Sequence, residues 1–214
     1  MGNSAGRVWT TGPKLVANVL PLVGPLAVGA MLAMTYPKEG LTPRTVGLMI
    51  SFPLVGWLSV NFLGLAGNSG VRRAMETRLD RFRPRSTVAR MFVGFAGPKY
   101  RSALDPHEEV GWLLVSEDGL ELVGDATTVQ LSRFDVAAVG KLANAHSWLG
   151  LGGWVAVDAV VEGNAVRALL EPRQAGTHWG NARLGRKLRN EMAHWLVSGE
   201  VPGVLTRPVG SVTQ

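Results

Sequence analysis

Residues 105–109, DPHEE, form the densest group of titratable side chains in the sequence. Imidazoles and carboxylates of this kind serve as metal ligands or general bases when they converge in space. The segment lacks the His-to-His spacing of an HExxH site, and an Asp-Pro pair commonly starts a turn. We therefore interpret residues 105–109 as the turn that leads into a strand.

The rest of the sequence contains no recognisable motif for a catalytic, metal or phosphate-binding site. His146, His178 and His194 stand far apart in the sequence, and the absence of cysteine excludes disulfides, thiolate nucleophiles and Cys-bound metals. The glycine-rich LGLGG at 149–153 lacks the helix and lysine of a phosphate-binding loop. The sequence predicts no catalytic residue, metal site or cofactor, and thus a protein that is not an enzyme. Only an active site assembled from distant residues would escape this interpretation.

Two long uncharged segments dominate the N-terminal third. Residues 15–36 and 45–71 contain no charge, and about 20 apolar helical residues cross a bilayer core. We predict transmembrane helices at about 15–36 and 46–67; a signal peptide is the alternative for the first. Small residues at intervals of four favour packing within a hairpin over an interface with another membrane protein. Asn61 is expected to make an interhelical hydrogen bond.

The positive charge follows these segments. Residues 1–90 contain 11 Lys and Arg against 3 Asp and Glu, whereas residues 91–214 contain 11 against 13. An eight-residue connection, 37–44, joins the spans, so both termini lie on one side. The positive-inside rule places that side in the cytoplasm. This charge split argues against nucleic-acid binding.

Residues 72–90 form a basic juxtamembrane segment. Apolar residues at helical spacing predict a short amphipathic helix that ends before Pro84 and lies along anionic lipid headgroups. The candidate membrane-surface residues are Arg72, Arg73, Arg78, Arg81, Arg83 and Arg85.

From about residue 108 the hydrophobic pattern alternates. Six strands are expected, at 110–116, 120–124, 127–132, 134–142, 154–161 and 165–171. Turns at Asp118-Gly119 and Glu162-Gly163 connect two pairs of them. Apolar residues from Leu184 to Leu196 then predict an amphipathic helix closed by Gly199.

This element order resembles a bacterial membrane-anchored PH-like (GRAM-like) domain, over roughly residues 90–198. The resemblance implies an antiparallel β-barrel capped by a C-terminal amphipathic helix, and a binding or scaffolding role without catalysis. The first hairpin loop, 116–119, is acidic where phosphoinositide-binding PH domains carry Lys and Arg. The resemblance therefore favours protein interaction over phosphoinositide recognition.

A glycine-containing loop at 143–154 carries the candidate partner-binding residues Trp148, Leu149, Leu151 and Trp154. Such a loop either folds its aromatic residues onto the barrel or presents them to a partner. The expected organisation is α+β: an N-terminal part with two transmembrane helices (1–71), a basic segment (72–90), a PH-like cytoplasmic domain (91–198) and a flexible tail (199–214).

The sequence favours a non-catalytic accessory or scaffolding subunit of a larger inner-membrane complex, with an integral-membrane protein as partner. The alternative is a membrane-tethered lipid- or ligand-sensing module.

Overall fold

A computed structural model describes residues 7–82, 89–97, 100 and 107–205 of the chain. Two long apolar helices come first, α1 (Thr11–Glu39) and α2 (Pro43–Leu63). Both are long and apolar enough to cross a membrane. Helix α2 begins where Thr42 and Thr45 cap each other and Pro43 occupies the first turn, which satisfies backbone N–H groups that a helix start leaves unpaired.

Helices α1 and α2 pack against each other as a hairpin. A methyl group at Gly24 would lie 2.8 Å from the Ser59 hydroxyl, and one at Gly29 would lie 3.1 Å from the Phe52 ring. Small residues thus let the two backbones approach, as the sequence indicated. Asn61 is buried, but its side chain accepts a hydrogen bond from the Trp179 backbone N–H at 2.9 Å. This bond joins the hairpin to the C-terminal helix instead of joining α1 to α2.

Helix α3 (Asn68–Phe82) follows after a short break and has the predicted amphipathic pattern. Its apolar side chains Val71, Met75 and Leu79 are buried against the sheet, in a cluster with Phe92 and Trp112. The apolar face of this helix is therefore covered by the sheet and does not insert among lipids.

Seven strands form one antiparallel sheet in the order β4-β3-β2-β1-β7-β6-β5. They are β1 (Ala89–Ala96), β2 (Glu109–Val115), β3 (Gly119–Gly124), β4 (Thr128–Ser132), β5 (Val136–Leu142), β6 (Trp154–Val161) and β7 (Asn164–Pro172). The sheet is not closed into the expected barrel, since β4 and β5 are its two edges. Both turns appear as expected, and the β6–β7 turn places Glu162 and Gly163 at positive φ, as a type I′ turn requires.

Helices cover both faces of the sheet. A four-residue helix, α4 (Ala145–Trp148), precedes β6, and α5 (His178–Ser198) follows β7. On one face α5 buries Leu188, Met192 and Trp195. The Trp195 indole N–H donates to the Ser116 carbonyl oxygen at 2.7 Å, so the helix is fixed in register with the β2–β3 turn. Helix α3 and the start of α1 lie on the other face.

The first part of the predicted tail is packed against α5. The Leu205 side chain is buried in the main core, and the Val204 backbone N–H donates to the Glu191 carboxylate at 2.7 Å. Only residues 206–214 of the predicted flexible tail lie outside the described residues.

One buried carboxylate fastens the N-terminal segment and α3 to the sheet. Asp125 accepts hydrogen bonds from the backbone N–H groups of Val8 (2.7 Å) and Trp9 (2.9 Å). Its other oxygen pairs with Arg78 of α3 at 2.8 Å. The base of the helix hairpin is therefore held on the sheet through the β3–β4 turn.

We expect Asp125→Ala to lower the free energy of unfolding by about 2–4 kcal/mol, because it leaves buried N–H groups and Arg78 without their acceptor. Chemical denaturation of the detergent-solubilised protein measures this loss. The matched control is Asp158→Ala, which removes the half-exposed partner of the exposed Arg167 and should change stability less. Equal losses for both variants would contradict the role given to Asp125.

Candidate functional site

Four segments distant in sequence meet around the carboxylate of Glu171, at the end of β7. One oxygen of Glu171 contacts His107 Nε2 at 3.0 Å and accepts from the Asn144 amide at 3.2 Å. The other oxygen contacts His146 Nδ1 at 2.9 Å. The side chain of Glu171 is 3% exposed, and such a buried charge is tolerated only when several donors surround it.

The His107 ring lies between Glu171 and a buried arginine. Its Nε2 faces the carboxylate and its Nδ1 lies 3.3 Å from Nη1 of Arg173, so a neutral ring donates through Nε2 and accepts through Nδ1. Arg173 Nε in turn donates to the Asn68 side chain at 2.9 Å, at the start of α3. A Cβ at position 94 would lie 2.0 Å from the His107 ring, so β1 needs glycine there.

Burial and hydrogen bonding set the charge states in this cluster. Burial, the largest effect, lowers the pKa of His107 against the opposing pull of Glu171. Burial likewise lowers the pKa of His178 to about 3, with a further contribution from the charge of nearby His146. Burial alone would raise the pKa of Glu171, but the hydrogen bonds from His107 and His146 hold it far below its ordinary value. At neutral pH the cluster contains an ionised carboxylate and neutral imidazoles at His107 and His178.

His178, the first residue of α5, is the member of the cluster without a hydrogen-bond partner. Its side chain is 4% exposed, and among the described residues its ring nitrogens form no hydrogen bond. The ring centroid lies 4.2 Å from that of His146. A Cβ at Gly64 would lie 2.7 Å from His178 Nε2, so the end of α2 passes directly beside the ring. His178 also lines a pocket beside the cluster, so its ring is accessible to a ligand there.

His146, Glu171 and His178 together have the geometry of a metal-binding triad. One ligand atom from each lies within 4.8 Å of the others. Two imidazoles and one carboxylate suit a divalent transition metal such as zinc. His107 and Asn144 hold the carboxylate from behind, as outer partners of metal ligands do.

A pocket of about 180 Å³ opens beside the triad, between the helix hairpin and the sheet. Side chains of α1 and α2, including Pro21 and Val60, form its apolar wall. The polar residues that line it are Asn18, His107, His146, Arg173 and His178. The pocket therefore exists only where the hairpin meets the sheet domain.

The predicted membrane-surface arginines are distributed among several contacts. Arg72 donates to the Gln174 carbonyl oxygen at 3.2 Å, Arg78 pairs with Asp125, and Arg73 is exposed. Arg81 belongs to α3, although its side chain lies outside the described residues, as do Arg83 and Arg85 entirely. Of the three arginines whose side chains the structure describes, Arg72 and Arg78 thus bind the protein itself.

The predicted partner-binding loop divides into an exposed and a buried pair. The Trp148 side chain is 89% exposed and that of Leu149 is 43% exposed. Leu151 (0% exposed) and Trp154 (7%) are buried, so the fold does not present them to a partner. The loop also lies against the hairpin, because the Trp57 indole donates to the Leu149 carbonyl oxygen at 3.0 Å.

Sequence reasoning missed the triad because its members are spread over residues 146–178 without a recognised spacing. His107 had been interpreted only as part of a turn. The usable signal was the composition: the chain has four histidines, and a glutamate ends the otherwise apolar run of β7.

The chain matches no protein-family model, no curated protein and no solved structure.

Proposed function

We propose that this chain is a membrane-tethered, non-catalytic ligand-sensing module with a PH-like sheet domain. The observation that carries this proposal is the pocket shared between α1, α2 and the sheet domain, which is lined by His107, His146 and His178 of the buried histidine–glutamate cluster. A ligand in this pocket touches both parts of the protein. Binding of the ligand therefore stabilises the arrangement in which the hairpin is packed against the sheet.

Membrane insertion of the hairpin is part of the proposal. Helices of 29 and 21 residues are about 44 and 32 Å long, enough for a bilayer core of about 30 Å. Large apolar side chains along both helices are exposed, among them Leu26, Met34 and Ile50 at 67%, 62% and 66%. Such a surface is stable against lipid and costly against water.

We further propose that the sheet domain and both termini lie in the cytoplasm, at a bacterial inner membrane. The α1–α2 connection carries Lys38 and Arg44, but Arg44 pairs with Glu39 at 3.0 Å. The basic segment after α2 carries many more arginines, which supports the cytoplasmic side for that end. Exposed Arg73 is then available to anionic headgroups.

Cysteine labelling tests this orientation directly, because the natural chain contains no cysteine. In bacterial spheroplasts, a membrane-impermeant maleimide is expected to label Leu41→Cys in the connection. It should label Glu200→Cys, beyond α5, only after lysis. Labelling of Glu200→Cys in intact spheroplasts would reverse the proposed topology, and equal labelling of both positions would exclude a transmembrane hairpin.

The pocket itself is tested by filling it. Val60→Phe adds an aromatic ring to the apolar wall formed by α2, and it should abolish binding of the native ligand. Native mass spectrometry of the full-length protein, purified from its own membranes in mild detergent, detects the bound mass. The control Val160→Phe makes the same change at an exposed position of β6 and should retain the ligand.

A bound mass found equally in the wild-type protein and both variants would contradict binding in this pocket. So would the absence of any bound mass from all three proteins.

A second candidate function is an accessory or scaffolding subunit that binds an integral-membrane protein. The exposed Trp148 ring supports it, since Trp is enriched among the residues that contribute most to binding at protein interfaces. The hydrogen bond from Trp57 to Leu149 keeps this residue next to α2, where a membrane partner would reach it.

For this candidate we expect Trp148→Ala to reduce co-purification of a stoichiometric membrane partner at least 10-fold. The control is Phe134→Ala, which removes an aromatic ring of similar exposure (82%) from the 3₁₀ turn before β5. Quantitative mass spectrometry of the purified complexes provides the measurement. Purification of the wild-type protein without any partner would exclude the accessory role.

A further inference from the structure

We propose that His146, Glu171 and His178 bind one divalent transition-metal ion, with its remaining coordination position open to the pocket. This inference rests on the proposed function, because it names a metal ion as the class of ligand that the same pocket binds. The three side chains come from α4, β7 and α5, so the ion would join three separate elements of the sheet domain.

The unsatisfied His178 ring is the first argument. Its side chain is 96% buried from solvent, and its nitrogens lack a hydrogen-bond partner among the described residues, while every oxygen of Glu171 has one. A metal ion would give His178 the partner that it lacks. The hydrogen bonds of Glu171 do not, because they involve His107, Asn144 and His146.

The spacing is the second argument. A tetrahedral ion with bonds of about 2.0–2.1 Å keeps its ligand atoms about 3.4 Å apart. The three ligand atoms already lie within 4.8 Å of one another, so side-chain adjustments of about 1 Å suffice. The donor set of two imidazoles and one carboxylate favours zinc, cobalt or iron over magnesium or calcium.

The surroundings are the third argument. His107 and Asn144 hold one oxygen of Glu171 in place, which orients the carboxylate. The positive charge of Arg173 lies on the far edge of the His107 ring, where Asn68 also holds it. Three protein ligands beside an open pocket match sites that keep a position for an exchangeable ligand.

The end of α2 lies close enough to respond to the ion. Gly64 passes beside the His178 ring, and the adjacent residue Trp179 is bonded to Asn61 of α2. Ordering of His178 by a metal is therefore expected to stabilise the junction between the hairpin and the sheet domain.

The test uses the full-length protein in detergent, stripped of metal with a chelator. Titration with Zn²⁺ in a calorimeter should give one site per chain, and Co²⁺ should produce visible absorption bands of a nitrogen- and oxygen-bound ion. His178→Gln should weaken Zn²⁺ binding at least about 100-fold, because it removes one of three protein ligands. His194→Gln is the matched control, since His194 is exposed and pairs with Glu200 away from the pocket.

A second pair of variants leaves every ligand in place. Gly64→Ala should push on the His178 ring and weaken Zn²⁺ binding about 10-fold or more. Gly70→Ala places the same methyl group in open space on α3 and should bind as the wild-type protein does. Thermal unfolding of each metal-free variant checks that the fold is retained, and added Zn²⁺ should raise the Tm of the wild-type protein, His194→Gln and Gly70→Ala.

Absence of stoichiometric Zn²⁺ or Co²⁺ binding would overturn the metal site, as would equal affinity in His178→Gln and His194→Gln. These outcomes are separate from failure of the proposed function. A small organic ligand lost only in Val60→Phe, without metal binding, would retain the ligand pocket and remove the metal. If Val60→Phe retained the organic ligand and no variant lost metal binding, both the ligand pocket and the metal site would be excluded.

Discussion

The buried carboxylate of Glu171 is the constraint around which the sheet domain is organised. An ionised carboxylate at 3% exposure is stable only with several donors, and those donors come from residues before β2, before β6 and within α4. His107 in turn contacts Arg173. The Arg173 guanidinium donates a hydrogen bond to Asn68 and lies 4.9 Å from the Trp9 ring. A single buried charge thus connects α3, the N-terminal segment and both halves of the sheet.

Local signals made much of this fold predictable. The uncharged segments predicted α1 and α2 because no polar face interrupts them. Helix α1 extends beyond both expected bounds, whereas α2 begins before its expected start and already ends at Leu63. The turns at Asp118-Gly119 and Glu162-Gly163 were predicted because short Asp-Gly and Glu-Gly-Asn segments between apolar runs are typical of hairpins, and the second turn has positive φ at Glu162 and Gly163. Helix α5 was predicted because its apolar residues recur at helical spacing and Gly199 follows as a typical helix C-terminus.

Features decided by tertiary packing escaped prediction. Strand β1 has almost every residue buried, so it lacks the alternation that identifies a half-exposed strand, and its arginine-rich flank suggested a surface segment. Whether the sheet closes depends on strand tilt and twist, which no short sequence pattern encodes. The histidine–glutamate cluster forms only when chain segments up to 71 residues apart, at positions 107 to 178, come together. The sequence left open whether Leu151 and Trp154 pack onto the fold or bind a partner, and the structure buries both.

The Asp125 contact also dictates an order of assembly during synthesis. Trp9 is made early, yet its acceptor lies 116 residues further along the chain. At about 5–20 residues per second, the N-terminal segment waits on the order of 10 s for that partner. His178, which completes the cluster, emerges later still. The hairpin is therefore complete before the β3–β4 turn that fastens it has been made, and the sheet domain can assemble onto helices that are already present.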